Sequence, residues 1–81
     1  MDRRTRELIA IGASVTANCV ACFRFHLKEA RKEGAEEKEI QAAIRVGKMV
    51  RKGAADTWDK EATAMLEPES STSSPSGRGT S

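Results

Sequence analysis

The sequence predicts an all-α domain, and three observations carry that expectation. Proline is absent before Pro68, and tyrosine is absent throughout. Ala, Glu, Lys, Arg, Leu and Ile dominate the chain before Glu67, a composition of mostly high helix propensity. Apolar residues there recur at spacings of three and four, which places them on one helical face. The expected architecture is a helical hairpin followed by one or two further helices.

The first helix is expected from about Arg3 to Val15, where Leu8, Ile11 and Val15 align and Ile9 widens the stripe. Ala10, Gly12 and Ala13 are small enough to let another helix approach closely. Thr16, Ala17 and Asn18 read as a break. Asn18 is expected to cap a second helix beginning at Cys19, because its side chain can accept from an unpaired backbone N–H. That helix runs to about Lys32 with Val20, Phe23, Leu27 and Ala30 on its apolar face, and Gly34 ends it. Glu36 and Glu37 stand where the positive end of a third helix begins. Ile40, Ala43, Ile44, Gly47 and Val50 form its buried face. Gly53 leaves open whether residues 36–66 make one helix or two, and beyond it Trp58, Ala62 and Met65 or Leu66 share a side.

These elements occupy residues 1–66, and residues 67–81 contain no apolar side chain to bury, so they read as a disordered Ser/Gly/Pro-rich tail. A core of this size contributes roughly 3 to 5 kcal/mol of net stability, and two cysteines three positions apart close too short a loop to add much. A homo-oligomer is therefore expected to complete the core. No apolar segment reaches membrane-spanning or signal-peptide length, which predicts a soluble, cytoplasmic protein. The net charge of +2 is small and both signs alternate, so neither a nucleic acid nor a membrane is an expected partner. Arg45, Lys48, Arg51 and Lys52 recur at helical spacing without interleaved aromatics and read as a solvated face.

The chemistry is concentrated in one pattern, Glu7-x11-Cys19-x2-Cys22-x3-His26, which holds both cysteines and the sole histidine. On a helix, Cys19, Cys22 and His26 fall at 0, about −60 and about −20°, one strip roughly 60° wide. Residues three apart on a helix have Cα atoms roughly 5 to 6 Å apart, within the range a disulfide accepts, so the pair can be reversibly oxidised. The helix start favours a thiolate at Cys19. If the first two helices form an antiparallel hairpin, Glu7 lies about 12 Å from the turn and His26 about 10 Å past Cys19, at similar height. A carboxylate there can fix the imidazole tautomer, and the imidazole can accept or return the proton of Cys22. The expected relay runs from Glu7 through His26 to Cys22. It calls for no bound cofactor.

Two other readings use the same residues. The pair can act as a non-enzymatic redox sensor whose disulfide changes a partner interface. The four groups can also ligate zinc in a structural module, although such sites generally draw more thiolates from two separated knuckles.

The segment Glu7-Leu8-Ile9-Ala10-Ile11 through Asn18-Cys19-Val20-Ala21-Cys22-Phe23-Arg24-Phe25-His26 resembles the carboxymuconolactone decarboxylase superfamily, in its alkylhydroperoxidase (AhpD-like) branch. The resemblance extends over about Arg3 to Ala54. It implies an all-helical fold assembled as homo-trimers or hexamers and a thiol peroxidase that reduces hydroperoxides. It also implies that Cys22 becomes a sulfenic acid and condenses with Cys19, the more exposed resolving thiol, and that a dithiol reductant of lipoyl or thioredoxin type reopens the disulfide. Glu7 and His26 are then the proton relay. Larger members carry a histidine between the cysteines where this chain has Val20-Ala21. Decarboxylating members lack the cysteine pair, so lactone decarboxylation is not expected.

Overall fold

The computed structural model of the chain describes residues 1–67; the tail expected over residues 67–81 lies, beyond Glu67, outside the described residues. Three helices make up the fold: α1 (Arg3–Thr16), α2 (Val20–Lys32) and α3 (Glu37–Leu66). The protein is all-α, as the composition predicts.

Each helix start is explained by a local polar contact. The carboxylate of Asp2 accepts from the Thr5 N–H at 2.7 Å and begins α1. That backbone bond holds the Asp2 carboxyl below its usual value. At α3 the Glu36 N–H donates to the Glu39 carboxylate at 2.9 Å, the reciprocal contact of a capping box. Glu37 and Glu39 also place negative charge in the first turn of α3.

The two connections share one hydrogen-bond pattern and differ in the residue that turns: after α1 the Asn18 N–H bonds the Val15 carbonyl and the Cys19 N–H the Ser14 carbonyl. After α2, Gly34 takes φ 89° while its N–H bonds the Arg31 carbonyl and the Ala35 N–H bonds the Ala30 carbonyl, the two contacts of a Schellman motif. Between α1 and α2 the left-handed residue is Asn18, at φ 58°. Asn18 therefore does not cap α2 as its side chain predicts. It makes the turn, and the extended Cys19 occupies the cap position one residue later.

α1 lies at the centre, antiparallel to α2 and parallel to α3. Its contacts with α3 climb both helices together: Arg4 pairs with Glu39, Gly12 meets Ala43, and the Thr16 hydroxyl donates to the Gly47 carbonyl at 3.0 Å. The Arg4 guanidinium holds the Glu39 carboxyl below its ordinary value, with help from the Glu36 N–H. Ile11, Ala30 and Ile40, one from each helix, are the buried core, with Leu8, Phe23, Leu27, Ala43 and Ile44 packed around them.

α3 is one unbroken helix through Gly53, a glycine with nothing near its Cα hydrogens. At about 1.5 Å per residue it extends far past α1, which explains overall extents of 57 × 21 × 20 Å. The apolar residues of its last half stay exposed: Trp58 is 70% accessible and Met65 79%. Val50, expected in the buried face, is also exposed. No helix among the described residues is long and apolar enough to cross a membrane.

Candidate functional site

Cys19 and Cys22 are joined by a disulfide with Cα atoms 5.3 Å apart, at the start of α2. The extended backbone of Cys19 points its sulfur back over the first turn, where it accepts from the Cys22 N–H at 3.2 Å. The sulfur thus does the capping work that an oxygen does in most helices, and it sits where exposed N–H dipoles favour negative charge. Cys22 is the exposed member of the pair and Cys19 is half-buried. This reverses the accessibility that the family resemblance implies for the two thiols.

His26 follows Cys22 by one helical turn on the same strip. Its Nδ1 lies 2.6 Å from the Glu7 carboxylate across the α1–α2 hairpin. Glu7 is only 7% exposed, so its position inside the hairpin requires a hydrogen-bonded partner. Arg6 reaches the other carboxylate oxygen at 3.6 Å from the solvent side. With Nδ1–H donating to Glu7, the free Nε2 carries the lone pair and is the atom able to take a proton. The Phe25 ring stands edge-on to the imidazole, centroids 5.0 Å apart. Ser14, also buried between the helices, is satisfied by the Ala10 carbonyl at 2.7 Å.

Glu7 and His26 pair midway along the hairpin, and Cys19 and Cys22 are bonded at its turn end, with Cys22 one helical turn before His26. With the cysteines bonded to each other, no group of three or more His, Cys, Asp or Glu among the described residues has the geometry to hold a metal ion. Two features carried no signal in the sequence. Arg51, read there as part of a solvated face, donates to the Val15 carbonyl at 3.2 Å and to Asn18 Oδ1 at 2.9 Å, and so ties α3 to the turn before the disulfide. A cleft of about 260 Å³ opens beside Cys19 between α2 and α3.

A family profile described as "Carboxymuconolactone decarboxylase family" matches residues 1–65. The chain belongs to the carboxymuconolactone decarboxylase family. Within that family it resembles a Paracoccus denitrificans protein described as "Uncharacterized protein 4 in cox locus", at 39% identity over 67 residues. That match covers 83% of this chain and 60% of the relative. It also resembles a Hyphomonas neptunium protein named alkyl hydroperoxide reductase AhpD, at 39% identity over 62 residues, 76% of this chain and 34% of the relative. This second match supports the AhpD-like branch of the family. The chain thus spans less than two thirds of either relative's length. No solved structure gives a significant match.

Proposed function

We propose that this carboxymuconolactone decarboxylase family member is a thiol-based antioxidant oxidoreductase that reduces hydroperoxides with Cys22 and Cys19. The observation that carries the reading is the Glu7–His26 hydrogen bond, which leaves the other imidazole nitrogen free one helical turn past Cys22 of the disulfide. In the reduced protein, His26 takes the Cys22 thiol proton and the thiolate attacks the terminal oxygen of the hydroperoxide. The O–O bond breaks, the alcohol leaves with the proton returned by His26, and Cys22 becomes a sulfenic acid. Cys19 then attacks that sulfur, water departs, and the disulfide forms. A dithiol donor of lipoyl or thioredoxin type restores both thiols and leaves as its own disulfide.

A homo-oligomer, trimer or hexamer, belongs to this reading. Ile9, Val46, Val50 and Trp58 are all exposed in the single chain, and a second copy can cover them. A reducing, cytoplasmic compartment is the setting in which such a pair cycles.

The test is stoichiometric. Reduced protein given one equivalent of an organic hydroperoxide is expected to lose two thiols per alcohol formed, and to turn over repeatedly once a dithiol is added. Thiols that persist beside unreacted hydroperoxide overturn the peroxidase reading. The sensor reading is favoured by exposed Val20 and Phe25 flanking the disulfide, and a single oxidation without turnover, with a changed oligomer mass, selects it.

Glu7→Gln keeps the shape at the hairpin and removes the charge facing His26. Its turnover is expected to fall by about tenfold or more, part of the roughly hundredfold that a positioned acid–base group supplies. The pH profile of the rate should shift while helicity stays constant. An unchanged rate and profile would leave Glu7 a packing residue.

A further inference from the structure

The two cysteines are held in different ways. Cys22 stands inside α2, where the helix ladder fixes its backbone. Cys19 lies outside that ladder as the extended cap, so the place of its sulfur depends on the turn before it. Asn18 is the left-handed residue of that turn. From α3, Arg51 Nη1 donates to Asn18 Oδ1 at 2.9 Å and to the Val15 carbonyl at 3.2 Å, and the same carbonyl accepts from the Asn18 N–H. Both oxygens are neutral, and Arg51 makes no ion pair among the described residues. While the disulfide is closed, its own bond keeps the two Cα atoms 5.3 Å apart. Once it is reduced, that restraint is gone and the turn sets where the Cys19 sulfur lies.

We infer that Arg51 is a positioning residue for the redox pair: by clamping the Asn18 turn it keeps the reduced thiols at bonding separation, and so favours the disulfide over the dithiol. The inference rests on the reversible exchange proposed above and adds a residue on α3 that tunes its equilibrium. Holding two reacting groups in place raises their effective concentration, and closure to the disulfide is favoured in proportion. Charge alone would act with the opposite sign. Arg51 and Lys48 stand on the α3 side of the cleft that Cys19 lines, and a cation beside a thiol favours the thiolate, hence the reduced form. The contacts favour the clamp, because Nη1 is engaged by the two oxygens of the turn and makes no hydrogen bond to either sulfur among the described residues.

The test is an equilibrium. The protein is held in mixtures of reduced and oxidised glutathione, in which two glutathione thiols reduce the pair and leave as glutathione disulfide, and the free cysteines are counted by alkylation and mass spectrometry. Arg51→Met keeps an unbranched, helix-favouring side chain and removes the donor. It is expected to lower the equilibrium constant for disulfide formation about fivefold, which raises the reduction potential by about 20 mV. Asn18→Gly keeps the left-handed backbone and the Arg51 charge but removes Oδ1, and should shift the constant the same way. Asn18→Asp restores an acceptor for Arg51 and tolerates the same backbone, so its constant should stay within about twofold of the wild type. An unchanged constant in Arg51→Met, with the oxidised and reduced forms melting lower by equal amounts, makes Arg51 a structural contact and overturns the inference. A raised constant there shows charge acting instead of position and overturns it as well, as does a fall in Arg51→Met that Asn18→Gly does not share. If Arg51→Met loses its helicity, the two Asn18 variants decide by themselves. A wild-type disulfide that glutathione opens at no ratio overturns the exchange chemistry itself, and this inference with it.

Discussion

Cys22→Ser is expected to abolish dithiol-dependent hydroperoxide consumption, bringing the rate down to that of the buffer. A serine hydroxyl is not ionised near neutral pH and does not form the sulfur–oxygen intermediate, so no part of the proposed first step survives. Cys22 is exposed, and a hydroxyl there leaves no buried polar group, so lost activity cannot be a folding defect. Cys19→Ser is the informative partner. Serine is among the preferred helix caps and should preserve the start of α2 that the Cys19 sulfur now holds. That variant should consume one hydroperoxide per chain and stop, with a sulfenic acid at Cys22 that dimedone can trap. Wild-type turnover by Cys22→Ser would sink the assignment, and a trapped sulfenic acid on Cys19 in that variant would exchange the roles of the two thiols.

The largest stability effect is expected from Gly47→Ala. A Cβ at Gly47 would lie 2.6 Å from the Gly12 carbonyl oxygen and 2.8 Å from Val15 Cβ. Neither atom is the movable end of a side chain, so α1 and α3 must separate and lose apolar contact along their parallel seam. Overpacking of this kind costs about 1 to 3 kcal/mol, against the roughly 1 kcal/mol that alanine gains over glycine in a helix. A 2.6 Å approach to a backbone atom puts the cost at the upper end of that range, which leaves a net loss of up to about 2 kcal/mol and a thermal unfolding lower by up to about 15 °C in a domain this small. Gly53→Ala supplies the opposite sign, because nothing lies within 4 Å of its added methyl and only the helix propensity changes. If both variants melt at or above the wild type, the close approach of α1 and α3 contributes nothing to stability.

Helix positions were legible because they depend on local rules. Phe23, Leu27 and Ala30 on α2, the stop at Gly34 and the acidic start of α3 all follow from neighbours three or four residues away, whereas Val20, expected on the same stripe, is exposed. The undivided α3 was not legible. Gly53 is a weak breaker when surrounded by Lys52, Ala54 and Ala55, and its cost of about 1 kcal/mol does not decide between one helix and two without knowledge of its surroundings. Asn18 illustrates a different limit, since the same short polar side chain suits both a helix cap and a left-handed turn. At the site, helical arithmetic applies to Cys22 and His26, while Cys19, expected as the first helical residue, is the extended cap and owes its place to the turn. Placing Glu7 against His26 needed only the hairpin. The cleft was invisible because its cations come from α3: Arg51 meets Asn18 across 33 positions and Val15 across 36, separations that leave no periodic trace.

Asn18 also changes what the interval between Glu7 and Cys19 means. It is the one described non-glycine residue with positive φ, and the reversal between α1 and α2 is made in three residues, Ala17, the left-handed Asn18 and the extended Cys19. One added residue in that turn would advance α2 by about 100° and carry His26 away from the carboxylate. The eleven residues separating Glu7 from Cys19 therefore act as a gauge length: they are a mechanical dimension of the hairpin, cut to bring a charge on one helix level with a ring on the next.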